Sequence, residues 1–106
     1  MSRYLIEASY TAEGLKGVLA KGGTARRDAI EKMLADVGGT VESLDFAFGD
    51  NDVILIVEVP DQVSVAAVAM TVGAGGAATC KTTVLLTPEE IDRATGIKAT
   101  YRTPGS

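Results

Sequence analysis

The seven residues at positions 53–59, Val-Ile-Leu-Ile-Val-Glu-Val, constrain the fold of this chain more than any other segment. A run of β-branched residues that is apolar at almost every position is typical of a strand covered on both faces, so it predicts a central strand of a sheet. Just before it, Gly49-Asp50-Asn51-Asp52 combines four residues that favour tight turns. Residues 40–48 alternate in side-chain character, and the two segments together predict a β-hairpin.

Apolar periodicity in the rest of the chain predicts two further strands and two main helices. The predicted elements are, in order, a strand at 3–10, a helix from Thr24 to Val37, the hairpin strands at 40–48 and 53–59, a helix at 62–73, a strand at 77–86 and a short helix from Thr87 to about Thr95. This β-α-β-β-α-β order is the ferredoxin-like pattern, an α+β fold with an antiparallel sheet and both helices on one face. We expect a single domain at residues 1–95 and a C-terminal tail at 96–106.

The surroundings of the two main helices are also predicted. Thr11 is expected to cap a short helical segment, but four glycines between residues 14 and 23 weaken helix formation, so only one or two helical turns are expected before Thr24. The helix at 62–73 is apolar around almost its whole circumference, which is typical of a helix buried on all sides. We therefore expect it to pack against the sheet on one side and against another subunit on the other.

The composition excludes several classes of function. The chain has no histidine, which removes His-ligated haem, His-containing metal sites and imidazole as a general base, and no other cofactor is identified. The net charge is −4, so the excess of Lys and Arg that nucleic-acid binding requires is missing. The longest apolar stretches, 53–57 and 65–70, are too short to cross a membrane. With a single cysteine, Cys80, and no secretory signal, we expect a cytoplasmic protein without a disulfide.

The sheet face that the helices leave bare is the first candidate site. Alternation places three charged candidate ligand-binding residues on it, Asp45, Glu58 and Lys81. Ile54 and Ile56 lie beside them, and an exposed apolar patch of this kind predicts that two sheets pair face to face. The enclosed charges would then either line a ligand cavity or pair with one another at a dimer contact.

Three further side chains are candidates outside this face. Arg26 and Arg27 begin the first predicted helix, where guanidinium and backbone N–H groups suit a carboxylate or phosphate. The alternative is a solvated pair, with Arg27 bonded to Glu31 one helical turn away. Tyr10 ends the first strand, where its phenol either orients a substrate oxygen or is a core ring whose hydroxyl reaches the surface. Cys80 is expected to be an inert small hydrophobe within its strand.

Seven short pieces of the chain, in order over about residues 3–95, carry a resemblance to a known family. They are Ser-Tyr-Thr-Ala-Glu-Gly-Leu-Lys at 9–16, Gly-Thr-Ala-Arg-Arg at 23–27, Val-Gly-Gly at 37–39, Phe-Ala-Phe-Gly at 46–49, Asp52, Pro60-Asp61, and Leu-Leu-Thr-Pro-Glu-Glu at 85–90. Together they resemble the GYD-domain family of small bacterial and archaeal proteins. The resemblance implies a dimeric α+β barrel, in which two ferredoxin-like sheets pack face to face. That superfamily includes monooxygenases, isomerases, haem-dependent enzymes and stress-response proteins.

The motif for which the family is named differs in this chain. The family's Gly-x-Tyr-Asp corresponds to Gly49, Asn51 and Asp52, so an asparagine replaces the tyrosine. Any role of that phenol does not carry over. Asparagine suits a tight turn, which favours a role for the motif in shaping the hairpin. The resemblance keeps Asp52 among the candidate ligand-binding residues.

Two classes of function remain open from the sequence. In the first, the chain binds or transforms a small anionic metabolite in a cavity between paired sheets. In the second, it is a non-catalytic regulatory or structural assembly module. Both make the chain a homodimer or higher homo-oligomer, and the sequence does not decide whether it is an enzyme. RNA binding through the same topology would need stacking aromatic residues, and the strand at 53–59 has none.

Overall fold

The computed structural model describes residues 1–105 and confirms the predicted α+β, ferredoxin-like fold. Its elements are β1 (Ser2–Tyr10), α1 (Ala12–Asp36), β2 (Thr40–Phe46), β3 (Val53–Val59), α2 (Gln62–Gly75), β4 (Ala78–Leu85) and α3 (Pro88–Thr95). The strands form one antiparallel sheet in the order β2-β3-β1-β4, so β3 is a central strand as its apolar run predicts.

The hydrophobic core lies between one face of the sheet and the helices α1 and α2. Alternate residues of β1 and β3 enter it, because successive side chains of a strand point to opposite faces. Ile54 and Ile56 point the other way, onto what we call the open face of the sheet, and are partly exposed. The buried residues of the core cluster are Tyr4, Ile6, Ile30, Leu34, Leu55, Val57, Val59, Val65 and Val68.

Helix α1 joins the two predicted helical segments, and the segment before Thr24 is longer than the one or two turns expected, since it is helical from Ala12 onward. Thr11 caps the helix, its side-chain oxygen accepting a hydrogen bond from the Gly14 N–H. The cap and the helix-forming residues that follow offset the cost of the glycines, which is about 1 kcal/mol each. The glycines instead produce a kink, since Gly22 has φ of 84° and ψ of 172°. This break divides α1 into two consecutive halves.

Helix α2 begins at the cap residue Asp61, whose carboxylate accepts a 2.8 Å hydrogen bond from the Ser64 N–H. The expectation that this helix is buried on all sides does not hold within one chain. Only Val65 and Val68 are buried, whereas Val63 on the far side is 78% exposed. The reason is that nothing within residues 1–105 covers the outer side of α2. Its packing against another subunit stays a prediction.

The connection between β2 and β3 is two residues longer than predicted. Strand β2 ends at Phe46 instead of residue 48, and the Ala47 N–H closes the turn on the Asp52 carbonyl at 2.8 Å. Phe48 is consequently fully exposed on the turn. Phe46 is also partly exposed and lies against Gly23. A register shift between Val41 and Ser43 interrupts the pairing of β2 with β3.

The two ends of the sheet have different neighbours. At the end that we call the hairpin end, β1 finishes at Tyr10, β4 begins at Ala78, and the β2–β3 turn lies beside them. At the opposite end, Arg3 pairs with Leu85, so β1 begins and β4 ends at this end of the sheet. There α3 starts with the predicted capping box between Thr87 and Glu90. Residues 96–105 form no helix or strand and are exposed.

Candidate functional site

A cavity of about 220 Å³ lies at the hairpin end, between the sheet and the two main helices. The second half of α1, the last turns of α2 and the strands β1 and β4 form its walls. Its lining residues from the helices are Arg26, Ile30, Met33, Leu34, Val68, Ala69, Thr71, Val72 and Gly75, and those from the sheet side include Ile6, Ala8, Tyr10, Val53, Leu55, Ala78, Cys80 and Thr82.

Several of the lining side chains are small. Ala69 and Gly75 of α2 and Ala8 and Ala78 of the sheet line the cavity, and none of these fills the space that a leucine or phenylalanine would take. The same scarcity of bulky groups runs through the chain, since only 5% of its residues are aromatic. The result is a mostly apolar chamber, which is the usual character of a small-molecule site.

Arg26 is the one charged side chain among the described residues that line the cavity. Its Nε atom is shielded from solvent and has no hydrogen-bond partner among residues 1–105. A buried donor without an acceptor costs about 1–3 kcal/mol, and protein structures contain few of them. This N–H is therefore an unsatisfied donor on a residue of the cavity wall.

Tyr10 lies next to Arg26 on the cavity wall and is half-buried. Burial raises the pKa of the Tyr10 phenol above its usual range, the Arg26 guanidinium opposes this rise, and the Asp52 carboxylate adds to it. The phenol is therefore a neutral hydrogen-bond donor at ordinary pH. Arg26 and Tyr10 together offer one cation and one neutral donor to a ligand.

Asp52 holds the backbone of Tyr10 in place. Its Oδ2 accepts a 2.7 Å hydrogen bond from the Tyr10 N–H, and its own N–H donates to the Ala8 carbonyl at 2.9 Å. The carboxylate thus continues the pairing of β1 beyond the last regular pair of β3. This explains in physical terms why an aspartate suits the end of the hairpin motif, where it ties the turn to the strand that carries Tyr10.

Cys80 lies on the cavity wall, where it pairs in register with Ala8. Burial raises the pKa of its thiol, so the sulfur stays protonated and is a poor nucleophile. The described lining residues include no carboxylate and the chain has no histidine, so neither a carboxylate nor an imidazole base lines the cavity.

The seven predicted site residues fall in separate places. Tyr10 and Arg26 meet at the cavity, and Asp52 supports Tyr10. Arg27 is exposed and bonds to Glu31 at 3.5 Å and to Asp28 at 3.6 Å, which is the solvated arrangement weighed from the sequence. The three that remain, Asp45, Glu58 and Lys81, lie on the open face and away from the cavity.

The open face holds a second set of polar contacts. Glu7 lies in register between Ile54 and Lys81, and its Oε2 accepts a 2.9 Å hydrogen bond from Asn51 Nδ2. Asn51, the residue that replaces the family's tyrosine, therefore tethers the turn to the open face of β1. Arg3 donates two hydrogen bonds to Glu42, at 3.0 and 3.2 Å. The predicted cavity between two paired sheets would adjoin these groups and stays a prediction.

Sequence reasoning missed both the position of the cavity and the part of Cys80 in its wall. The alternation of β4 groups Cys80 with Ala78 and Thr82, which was a usable signal that the three share a face. Alternation alone does not say which face the helices cover. Alternation also does not reveal where a cavity forms, because that depends on packing between distant segments of the chain.

Comparison with known proteins gives one match. The family model described as the GYD domain matches residues 4–95. No curated protein and no solved structure matches the chain. Within residues 1–105, no helix combines the length and apolarity needed to span a membrane, and no cluster of three or more acidic or Cys side chains is arranged to hold a metal ion.

Proposed function

The chain belongs to the GYD domain family, and on that premise we propose that it binds a small molecule with one anionic group and an apolar body in the cavity between its helices and its sheet. The observation that carries the proposal is the shielded, unpartnered Nε of Arg26. An anion placed beside it gains a charge-assisted hydrogen bond and removes the cost of the unpaired donor.

The walls of the cavity argue for the rest of the ligand. Apart from Arg26, the described lining residues carry no charge, and most are aliphatic. An apolar body therefore gains from burial, and no carboxylate in the wall competes for the guanidinium. A volume of about 220 Å³ corresponds to roughly seven water molecules at about 30 Å³ each, so the part of the ligand that it encloses is small.

Calorimetric titration with hexanoate tests this proposal, with hexanol as the uncharged ligand of the same length. We expect hexanoate to bind and hexanol to bind at least tenfold more weakly, because only the carboxylate accepts from Arg26 with a full charge. The Arg26→Met variant keeps the aliphatic stem and removes the donor, so it should lose roughly tenfold to a hundredfold in hexanoate affinity.

Arg27→Met is the matched control for this titration. Arg27 is exposed and paired with neighbours on its own helix, so its loss should leave hexanoate binding unchanged. Hexanoate that fails to bind the wild type, or that binds Arg26→Met equally well, would remove the proposal.

A second proposal concerns self-association through the open face. Ile54 and Ile56 of β3 lie beside Leu5 of β1 on this face, and all three are partly exposed. Pairing of two sheets would cover this aliphatic patch. We expect sedimentation velocity to find a dimer of the wild type and a monomer of Ile56→Lys, with Ile97→Lys as the control, because Ile97 is exposed and lies outside both the open face and α2. A wild-type monomer, or an Ile56→Lys dimer of unchanged stability, would refute the pairing.

A further inference from the structure

A second concavity lies beside the cavity, on the other side of Tyr10. We call it the apolar groove, and its volume is about 570 Å³. The first half of α1 forms one wall and the hairpin between β2 and β3 forms the other. Its lining residues are Tyr10, Leu15, Val18, Leu19, Gly23, Phe46, Ala47, Phe48 and Asp52.

The groove and the cavity share Tyr10 as a wall. The kink at Gly22 lies between the two sets of lining residues, because Leu15, Val18 and Leu19 before it and Gly23 directly after it line the groove, whereas the residues of α1 from Arg26 onward line the cavity. The Tyr10 ring lies close to α1, since its Cδ1 atom is only 3.0 Å from the position that a Cβ on Gly14 would take. One aromatic ring therefore separates the two spaces.

The walls of the groove are unusually apolar for a surface that faces water. Both phenylalanines of the chain line it, and Phe48 and Leu19 are 105% and 82% exposed. Asp52 is the one charged residue among the described groove-lining residues, and its Oδ2 is engaged by the Tyr10 N–H. The groove thus offers apolar contacts and no cation, whereas the adjoining cavity offers the unpartnered donor of Arg26.

We propose that the apolar groove holds the distal part of the same ligand, so that the ligand is an unbranched alkyl chain with a single terminal anionic group. The anionic end lies at Arg26 in the cavity, and the chain continues past Tyr10 to lie between α1 and the hairpin. This inference rests on the proposed function, which it deepens by naming the class of ligand. Two adjoining and largely apolar spaces that share Tyr10 as a wall, with one cation in the first of them, match such a molecule and do not match a compact polyanion or a polar metabolite.

A chain-length series separates the two proposals. Hexanoate fits the cavity alone, whereas dodecanoate, used below its micellar concentration, adds six methylenes for the groove. A fully buried methylene increases affinity about fourfold, and a groove open to solvent provides part of that, so we expect dodecanoate to bind at least tenfold more tightly than hexanoate. Dodecyltrimethylammonium, with the same chain and a cationic end, should bind at least tenfold more weakly than dodecanoate.

Substitutions at two exposed positions test where the alkyl tail lies, and neither position belongs to the hydrophobic core. Phe48→Ser and Leu19→Ser should each weaken dodecanoate at least threefold and leave hexanoate unchanged. Tyr101→Ser is the matched control, because Tyr101 is a similarly exposed aromatic residue outside the groove, and it should change neither affinity.

The outcomes are distinct for the two proposals. If hexanoate does not bind, the proposed function fails, and this inference fails with it. If hexanoate binds but dodecanoate binds no more tightly, or if Phe48→Ser and Leu19→Ser leave dodecanoate affinity unchanged, the groove does not hold the tail and only this inference is overturned. It is also overturned if these two variants lower the sedimenting mass of the protein without weakening dodecanoate, since the groove is then an interface between copies of the chain.

Discussion

Replacing Arg26 by methionine should make the ligand-free protein more stable. The methionine side chain takes the place of the aliphatic stem against the cavity wall, and the substitution removes the shielded Nε donor that has no partner among residues 1–105. An unpaired buried donor costs about 1–3 kcal/mol. Arg26 as a whole is only partly buried, so we expect the lower end of that range.

The expected gain in the free energy of unfolding is about 1 kcal/mol. For a domain of about 100 residues, this corresponds to a rise in Tm of roughly 4–8 °C. Urea denaturation followed by circular dichroism measures the difference directly. Arg27→Met serves as the control, because an exposed Arg with ion pairs only on its own helix should change stability by less than about 0.5 kcal/mol.

The refuting result is a loss of stability, or no change, in Arg26→Met beside an unchanged Arg27→Met. It would mean that the guanidinium stabilises the ligand-free protein, so the unpartnered Nε would no longer support the binding of an anion beside Arg26. A stability gain combined with loss of hexanoate binding would be a trade between stability and function, which is common where a site keeps an unsatisfied group.

Three further predictions concern residues of α1 and β1. Gly14→Ala should lower the free energy of unfolding by about 1–3 kcal/mol, because the added Cβ would overlap the Ala77 carbonyl oxygen. Gly17→Ala, on the same half of α1 but with open space around it, should raise the free energy of unfolding by about 0.5–1 kcal/mol, and equal effects of the two substitutions in urea denaturation would contradict this. Leu34→Ala removes a fully buried side chain and should cost about 3–5 kcal/mol by the same measurement, and a cost below 1 kcal/mol would show that the core is not packed as described. Burial raises the pKa of the Tyr10 phenol in the folded state, so the contribution of this group to stability is complete below its unfolded pKa of about 10 and is lost as the pH rises through the folded pKa. The free energy of unfolding of Tyr10→Phe should therefore depend less on pH above 10 than that of the wild type, and an identical dependence would refute the burial of Tyr10.

The sheet was the most predictable part of the fold, because its signals are local. The β-branched composition and the short length of the run at 53–59 favour a central strand, and the turn-forming residues before it favour the hairpin. The box of Thr87 and Glu90 is equally local, since it involves residues three positions apart. Such features require no knowledge of distant contacts.

The length of the helical segment before Gly22 was underestimated because the local contributions that favour and oppose the helix are of similar size. Each glycine before Thr24 weakens the helix, but the Thr11 cap and the intervening leucine and lysine residues support it. The outcome is a helix that continues through a kink at Gly22, a compromise that a residue-by-residue sum does not predict. The apolar character of α2 is ambiguous for a related reason, since a helix without a polar side does not indicate which side packs.

The candidate site was only partly predictable because it depends on long-range packing. Tyr10 and Arg26 were named from the sequence as separate candidates, and their meeting at one cavity depends on how the second half of α1 crosses the sheet. The space beside them is lined by small side chains of α2, β1 and β4, and none of these residues predicts a cavity by itself. The isolation of Nε is likewise a property of the assembled fold.

The entry of β1 and the exit of β4 at the same end of the sheet has a practical consequence. A strand of nine residues spans about 30 Å, so both points of attachment lie about that far from the hairpin end, where the cavity and the groove open. An affinity tag, a reporter or a solid-phase tether joined upstream of β1 therefore starts on the side opposite the binding region. The domain can be displayed or fused through that attachment point with the openings of the cavity and the groove still facing the surrounding solution.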